Sequence, residues 1–212
     1  NAANPQHGFV RAALWTVDEL RADDSGGVSA VLSFQDDDAT RGYRDFAFKA
    51  VYRIELDREL RLSLQIRNDS DTPFEFEEAL HTYLPISDIH EVHLEGLSDT
   101  EYIDKTDSMK RKHAPQGNLM IGKETDSVFE GSDATVRVSD KGLGQTLVVE
   151  KANSSSTIVW NPWAEKGSSL ADLGETWERM ICVESANVGA DSITIGPGKS
   201  HELKCTIRAE KL

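Results

Sequence analysis

The chain has 212 residues and a formal net charge of −14, because 37 Asp and Glu outnumber 23 Lys and Arg. An acidic chain is a poor partner for nucleic acid or an anionic membrane surface, since both require clustered Lys and Arg. Hydrophobic residues make up 38% of the chain, which is enough for a sizeable core and too much for a disordered protein. We therefore expect a folded protein without nucleic-acid or membrane partners. A cytoplasmic location and a monomeric state are our default expectations.

Alternating apolar and polar residues predict β-strands along most of the chain. In chain order, the predicted strands cover residues 8–17, 28–34, 46–56, 60–66, 74–76, 92–94, 136–138, 147–151, 157–161, 177–186, 192–195 and 203–207. Only three residues separate the third strand from the fourth, so we predict that they form an antiparallel hairpin. The best helical candidate is a short turn around Ser168–Leu173, ended by Gly174. No linker or repeat interrupts the pattern, which predicts one all-β domain over residues 1–212.

The two cysteines and the first residues give further expectations. Cys182 and Cys205 lie in apolar runs, which is typical of reduced core thiols; a disulfide remains open only if their strands are neighbours. Two cysteines cannot form a Cys-rich zinc site without several histidines. The chain begins at Asn1, without a start methionine or the layout of a signal peptide, so we expect that further residues preceded it.

Glu184 breaks the apolar pattern of its predicted strand. Its neighbours on the same face are Cys182 and Ala186, so its carboxylate should be partly desolvated. Desolvation raises the pKa of a carboxyl group and makes the carboxylate a better proton acceptor near neutral pH. An ion-paired glutamate at a partly exposed edge is the alternative that the pattern leaves open.

His81 breaks the pattern of a second strand, where it shares a face with Ala79 and Tyr83. A histidine can act as a general acid or base, because its pKa lies near physiological pH. A hydrogen-bonded structural histidine is the alternative.

Three further stretches carry side chains suited to a sugar or a phosphate. Gln6 and Arg11 offer planar donors, and Arg11 can hold a phosphate through two parallel bonds. Trp160 and Trp163 could pack against a sugar, or could belong to the core. Lys110–His113 is the one dense basic run, which we interpret as a solvated loop, with phosphate attraction as the alternative. The sequence lacks nucleotide-binding, zinc-peptidase and serine-hydrolase motifs.

Six stretches in a fixed order carry a more specific signal than any one of them alone. They are Gln6-His7-Gly8-Phe9-Val10-Arg11 with Trp15, Ala79-Leu80-His81-Thr82-Tyr83-Leu84, Glu124-Thr125-Asp126, Val159-Trp160-Asn161-Pro162-Trp163, Trp177-Glu178-Arg179-Met180-Ile181-Cys182-Val183-Glu184 and Pro197-Gly198. In this order they resemble the D-hexose-6-phosphate mutarotases, or glucose-6-phosphate 1-epimerases, of the aldose-1-epimerase-like family. Members of that family carry additional strands before the first stretch, so the resemblance implies a chain that lacks its first N-terminal strands.

The resemblance implies a galactose-mutarotase-like antiparallel supersandwich and interconversion of the α and β anomers of a hexose 6-phosphate. It implies catalysis by His81 and Glu184, facing each other across a cleft, with no metal and no organic cofactor. Gln6, Arg11 and Asp126 match substrate-binding positions. Two alternatives stay open: a non-catalytic carbohydrate-binding or regulatory sandwich of the same fold, and an epimerase of unphosphorylated sugars.

Overall fold

The structure is a computed structural model that describes Pro5 and residues 7–212. Most of the regular structure in this part of the chain is β-strand. The strands are β1 (Thr16–Ala22), β2 (Val28–Gln35), β3 (Phe48–Leu56), β4 (Leu60–Asn68), β5 (Phe74–Phe76), β6 (Glu78–Leu80), β7 (Tyr83–Pro85), β8 (His93–Glu95), β9 (Glu101–Asp104), β10 (Lys110–His113), β11 (Thr125–Phe129), β12 (Val136–Asp140), β13 (Gln145–Ala152), β14 (Ser156–Asn161), β15 (Met180–Asn187), β16 (Ile193–Ile195) and β17 (Ser200–Lys211).

The helical elements are short. They are α1 (Asp38–Arg41) and α2 (Trp163–Ser169), with 3-10 helices at Val10–Ala12, Lys105–Asp107, Gly174–Arg179 and Gly189–Asp191. No helix in the described part of the chain is long and apolar enough to cross a membrane. The prediction of an all-β, antiparallel chain is confirmed.

The chain divides into two compact units, which we describe separately; the single domain over 1–212 stays a prediction. The first unit comprises Asn1–Phe76 and Ile193–Lys204. Its strands β1 to β4 pair in chain order, all antiparallel. The predicted hairpin is confirmed, with Leu56 opposite Leu60. Apolar residues of β2 to β4 meet residues of β5 and β16 in one buried core, formed by Phe34, Phe48, Ala50, Ile66, Phe74 and Ile195.

The second unit comprises Glu77–Ser192 and Cys205–Leu212. Its larger sheet has the strand order β10-β9-β11-β14-β15-β6, and β7 also pairs with β15. All eight residues of β15 are buried. A strand covered on both faces needs apolar or satisfied side chains throughout, which explains the apolar run of its first four residues, Met180 to Val183.

Several boundaries differ from the predictions. The strand predicted over 8–17 begins only at Thr16, after a 3-10 helix, and the strand predicted from Trp177 begins at Met180 after another. Alternation over two or three residues does not distinguish a strand from a 3-10 turn. The basic run Lys110–His113 was wrongly interpreted as a loop: it is β10, paired with β9. Both cysteines are buried and free, as predicted.

Candidate active site

An interruption in strand pairing brings the two candidate catalytic residues together. Strand β6 pairs with β15 up to Leu80, and β7 pairs with β15 from Tyr83 onward, in one continuous antiparallel register. The two residues between β6 and β7 leave the ladder. The register places the first of them, His81, opposite Glu184. Side chains at opposite positions of antiparallel strands lie close together, so the backbone itself sets their separation.

The His81 imidazole and the Glu184 carboxylate lie within one proton-transfer step of each other. Nε2 of His81 is 3.5 Å from Oε1 of Glu184. The Glu184 side chain is 5% exposed and the His81 side chain is 28% exposed. The two groups are therefore neighbours on adjacent strands of one sheet, whereas the sequence analysis expected them to face each other across a cleft. His81 is the member of the pair that reaches solvent.

The surroundings of Glu184 favour its protonated form. Burial raises the pKa of Glu184 to about 8, the negative charge of Asp126 adds to the rise, and the positive charge of Lys105 opposes it. Nζ of Lys105 lies 3.5 Å from Oδ2 of Asp126, with which it forms an ion pair. A carboxyl group with its pKa near neutrality can accept and return a proton at working pH.

Aromatic rings surround the histidine. The Tyr83 ring stacks on the His81 ring, with centroids 5.0 Å apart and planes at 24°. The Trp160 ring meets His81 edge-on at 5.6 Å and Tyr83 edge-on at 6.0 Å. Such contacts restrict the rotation of the imidazole, because each ring has a preferred offset or edge-on geometry. Trp160 is half-buried, so it also presents a flat apolar surface beside the pair.

Cys182 contacts the other ring nitrogen of His81. Its Sγ lies 3.6 Å from Nδ1, and its side chain is fully buried. Burial, together with the nearby charge of Glu184, raises the pKa of the Cys182 thiol well above its ordinary value. The thiol is therefore neutral at rest. A ring nitrogen of His81, Sγ of Cys182 and a carboxylate oxygen of Glu184 all lie within 4.8 Å of one another. Together these three atoms could hold a metal ion.

The other predicted site residues are distributed over both units. Asp126, on β11, lies in the same unit as the pair and is its electrostatic neighbour. Arg11 lies in the first unit, exposed on the 3-10 helix Val10–Ala12. Gln6 lies outside the described residues. The sequence analysis missed Lys105, which follows β9 directly and carries no motif of its own.

The predicted basic run does not supply free cations. Lys110 forms an ion pair with Asp107, at 2.9 Å. Arg111 and Lys112 each contact two carboxylates, with N–O distances from 2.6 to 2.8 Å. These ion pairs neutralise the basic run, which argues against the alternative that the run attracts phosphate.

Comparison with known proteins identifies related sequences. The sequence profile described as aldose 1-epimerase matches residues 1–208. A candidate glucose-6-phosphate 1-epimerase of Cenchrus ciliaris is 30% identical over 204 residues, which cover 92% of this chain and 61% of the relative. One from Escherichia coli K12 is 27% identical over 210 residues, covering 98% of this chain and 68% of the relative. The chain thus spans about 60–70% of the length of these relatives.

A solved structure supports the same relationship. The crystal structure of a candidate mutarotase from Salmonella typhimurium superimposes with a TM-score of 0.90 at 26% sequence identity. The match covers 100% of this chain and 70% of that one. The predicted galactose-mutarotase-like fold is confirmed.

Proposed function

The chain belongs to the aldose 1-epimerase family, and on that premise we propose that it interconverts the α and β anomers of a hexose 6-phosphate. The observation that carries the proposal is the His81–Glu184 pair, with its ring nitrogen 3.5 Å from a carboxylate oxygen. A buried carboxyl of raised pKa beside an imidazole is a typical acid–base arrangement. The related sequences named as candidate glucose-6-phosphate 1-epimerases support the same reaction.

The proposed mechanism needs one base and one acid. The ionised Glu184 takes the proton from the C1 hydroxyl, while protonated His81 gives its proton to the ring oxygen, and the bond between C1 and the ring oxygen breaks. The product is an open-chain aldehyde with a free hydroxyl at C5. Rotation about the C1–C2 bond exposes the other face of the aldehyde. Closure reverses both proton transfers, so the pair returns to its starting state after each opening and closing.

The remaining site residues have proposed roles in binding. We assign Asp126 to a sugar hydroxyl, because a carboxylate accepts hydrogen bonds and Asp126 lies in the electrostatic neighbourhood of Glu184. We assign Gln6 and Arg11 to the substrate, with Arg11 at the phosphate, since its guanidinium can bind two phosphate oxygens at once. The activity in the cytoplasm, the monomeric state and the absence of nucleic-acid and membrane partners belong to the same proposal.

The experiment is anomer exchange followed by NMR saturation transfer. Protein should accelerate the exchange of glucose 6-phosphate and leave the exchange of glucose unchanged. His81→Ala and Glu184→Gln should each lower the rate by about 10²–10⁴-fold, the contribution of one positioned acid or base. Near-ultraviolet circular dichroism checks that both variants remain folded. Full rates in both folded variants would contradict the proposed roles, and equal acceleration of both sugars would indicate an epimerase of unphosphorylated sugars.

A further inference from the structure

The donor set His81, Cys182 and Glu184 has a chemistry that ring opening does not use. We propose that Zn²⁺, a thiophilic divalent cation, binds to these three side chains and blocks the site reversibly. Imidazole, thiolate and carboxylate are the three protein ligands that Zn²⁺ takes. The inhibition rests on the proposed function, but the binding does not, because the three donors bind the ion whether or not a sugar is turned over.

The distances between the donor atoms fit a tetrahedral ion after a small adjustment. Bond lengths of about 2.3 Å to sulfur and about 2.0–2.1 Å to nitrogen or oxygen put neighbouring ligands roughly 3.4–3.6 Å apart. Sγ of Cys182 is 3.6 Å from Nδ1 of His81, and Nε2 of His81 is 3.5 Å from Oε1 of Glu184. These two contacts involve opposite nitrogens of the His81 ring, and only one nitrogen binds the ion. All three donors already lie within 4.8 Å of one another, so a movement of about 1 Å completes the tetrahedral set.

Charge also favours a divalent cation in this place. The thiol and the carboxyl group each lose a proton to the solvent when the ion binds, leaving two negative charges against the two positive charges of the ion. The buried site therefore changes little in net charge. Asp126 adds a carboxylate nearby, and its contact with Lys105 holds it in place.

Occupation of the site excludes catalysis. The ion takes up the nitrogen lone pair of His81 and a carboxylate oxygen of Glu184, which are the atoms that would move protons to and from the sugar. It reaches them past His81, since this side chain is 28% exposed while Glu184 and Cys182 are buried. Three protein ligands leave a fourth position for water, as in open zinc sites.

Metal titration of the full chain tests the proposal without a sugar. After removal of bound metal with a chelator, calorimetry should give one Zn²⁺ per chain. Co²⁺ should produce a thiolate-to-cobalt charge-transfer band in the near-ultraviolet spectrum, which identifies a cysteine ligand in the unchanged protein. Zn²⁺ should inhibit anomer exchange in competition with glucose 6-phosphate, and a chelator should restore the rate.

Matched variants identify the ligands. Cys182→Ser should lose the charge-transfer band and weaken Zn²⁺ binding by about tenfold or more, as should Glu184→Gln without loss of the band. Cys205→Ser, which changes the other buried free cysteine, should retain both. Absence of the band in the unchanged protein, or equal Zn²⁺ binding by the Cys182→Ser variant, would overturn the site. If Zn²⁺ binds through Cys182 but glucose 6-phosphate is not turned over, the metal site stands and the proposed function fails.

Discussion

Two buried glutamates lie on neighbouring strands, Glu78 on β6 and Glu184 on β15, and they have different neighbours. Glu78 on β6 is 7% exposed and Glu184 on β15 is 4% exposed. Burial raises the pKa of Glu78 to about 7, opposed by a hydrogen bond that Asn187 donates over 2.9 Å. Burial raises the pKa of Glu184 to about 8, and its neighbour is His81. A perturbed pKa therefore marks burial, while the chemistry of the neighbour separates a structural acid from a candidate catalytic one.

The largest expected effect is a difference in activity between matched variants of these two acids. Glu184→Gln should lower kcat/KM for anomer exchange by about 10²–10⁴-fold, because it removes the base. Glu78→Gln should leave the rate within about twofold, because the amide can still accept the hydrogen bond from Asn187. Exchange rates from NMR saturation transfer measure both. An equal loss in the two variants would show that burial rather than position matters.

The second effect concerns stability, and it should be common to both acids. In the unfolded chain the pKa of a glutamate is about 4.3. In the folded chain the pKa is about 7 for Glu78 and about 8 for Glu184. The folded state therefore binds more protons over this interval, and the free energy of unfolding falls as pH rises. Each Glu→Gln variant should remove about 3 kcal/mol of this decline. Urea unfolding at about pH 5 and about pH 8 measures the decline in the unchanged protein and in each variant.

The decline with pH should be reduced in each single variant and reduced most in the double variant, because each glutamate titrates separately. A surface variant such as Glu165→Gln, on α2 and exposed, serves as the control and should leave the pH dependence unchanged. A slope that persists in the double variant would mean that other groups carry it.

A smaller effect is expected from the ring stacked on the histidine. Tyr83→Ala should lower kcat by about 2–10-fold with little change in KM, because an aromatic pair contributes about 0.5–1.5 kcal/mol and the loss leaves His81 less restricted. Tyr83→Phe keeps the ring and should retain the rate. Steady-state kinetics of the two variants measure the difference. A loss of the same size in Tyr83→Phe would assign the effect to the hydroxyl group.

The smallest effect should come from Lys105. The mechanism needs ionised Glu184 together with protonated His81, so kcat/KM should pass through a maximum as pH rises, and one limb of that profile follows the titration of Glu184 at about 8. Lys105→Met removes a positive charge that lowers the pKa of Glu184, and should move this limb to higher pH; Lys105→Arg should keep it in place. The shift is small because Lys105 is 41% exposed and water screens its charge. A pH–rate profile unchanged in Lys105→Met would remove Lys105 from the site.

Local pattern predicted the strands that carry long alternation, and it failed where alternation was short. The hairpin of β3 and β4 was predictable because its two runs are long and separated by three residues. Strand β10 was not, because four consecutive basic or histidine residues carry no apolar face, and their carboxylate partners come from elsewhere in the chain.

The site shows the same division. The burial of Glu184 followed from its apolar neighbours, because those residues share its face of β15. Its place opposite His81 did not, because the register between strands about a hundred residues apart depends on tertiary structure. Breaks in the strand pattern singled out His81 and Glu184 as candidates, and the family resemblance joined them as a catalytic pair. Lys105 was missed because an isolated lysine at the end of a strand carries no local signal.

The interruption between β6 and β7 has a consequence for how the protein tolerates changes in chain length. Leu80 and Tyr83 pair with β15 in one register, with two residues between them. Deleting or inserting one residue there would reverse the faces of one flanking strand. The imidazole would then point away from Glu184, although the sequence would still contain both residues. We therefore expect the chain to tolerate insertions and deletions in its loops but not in the two-residue connection between β6 and β7.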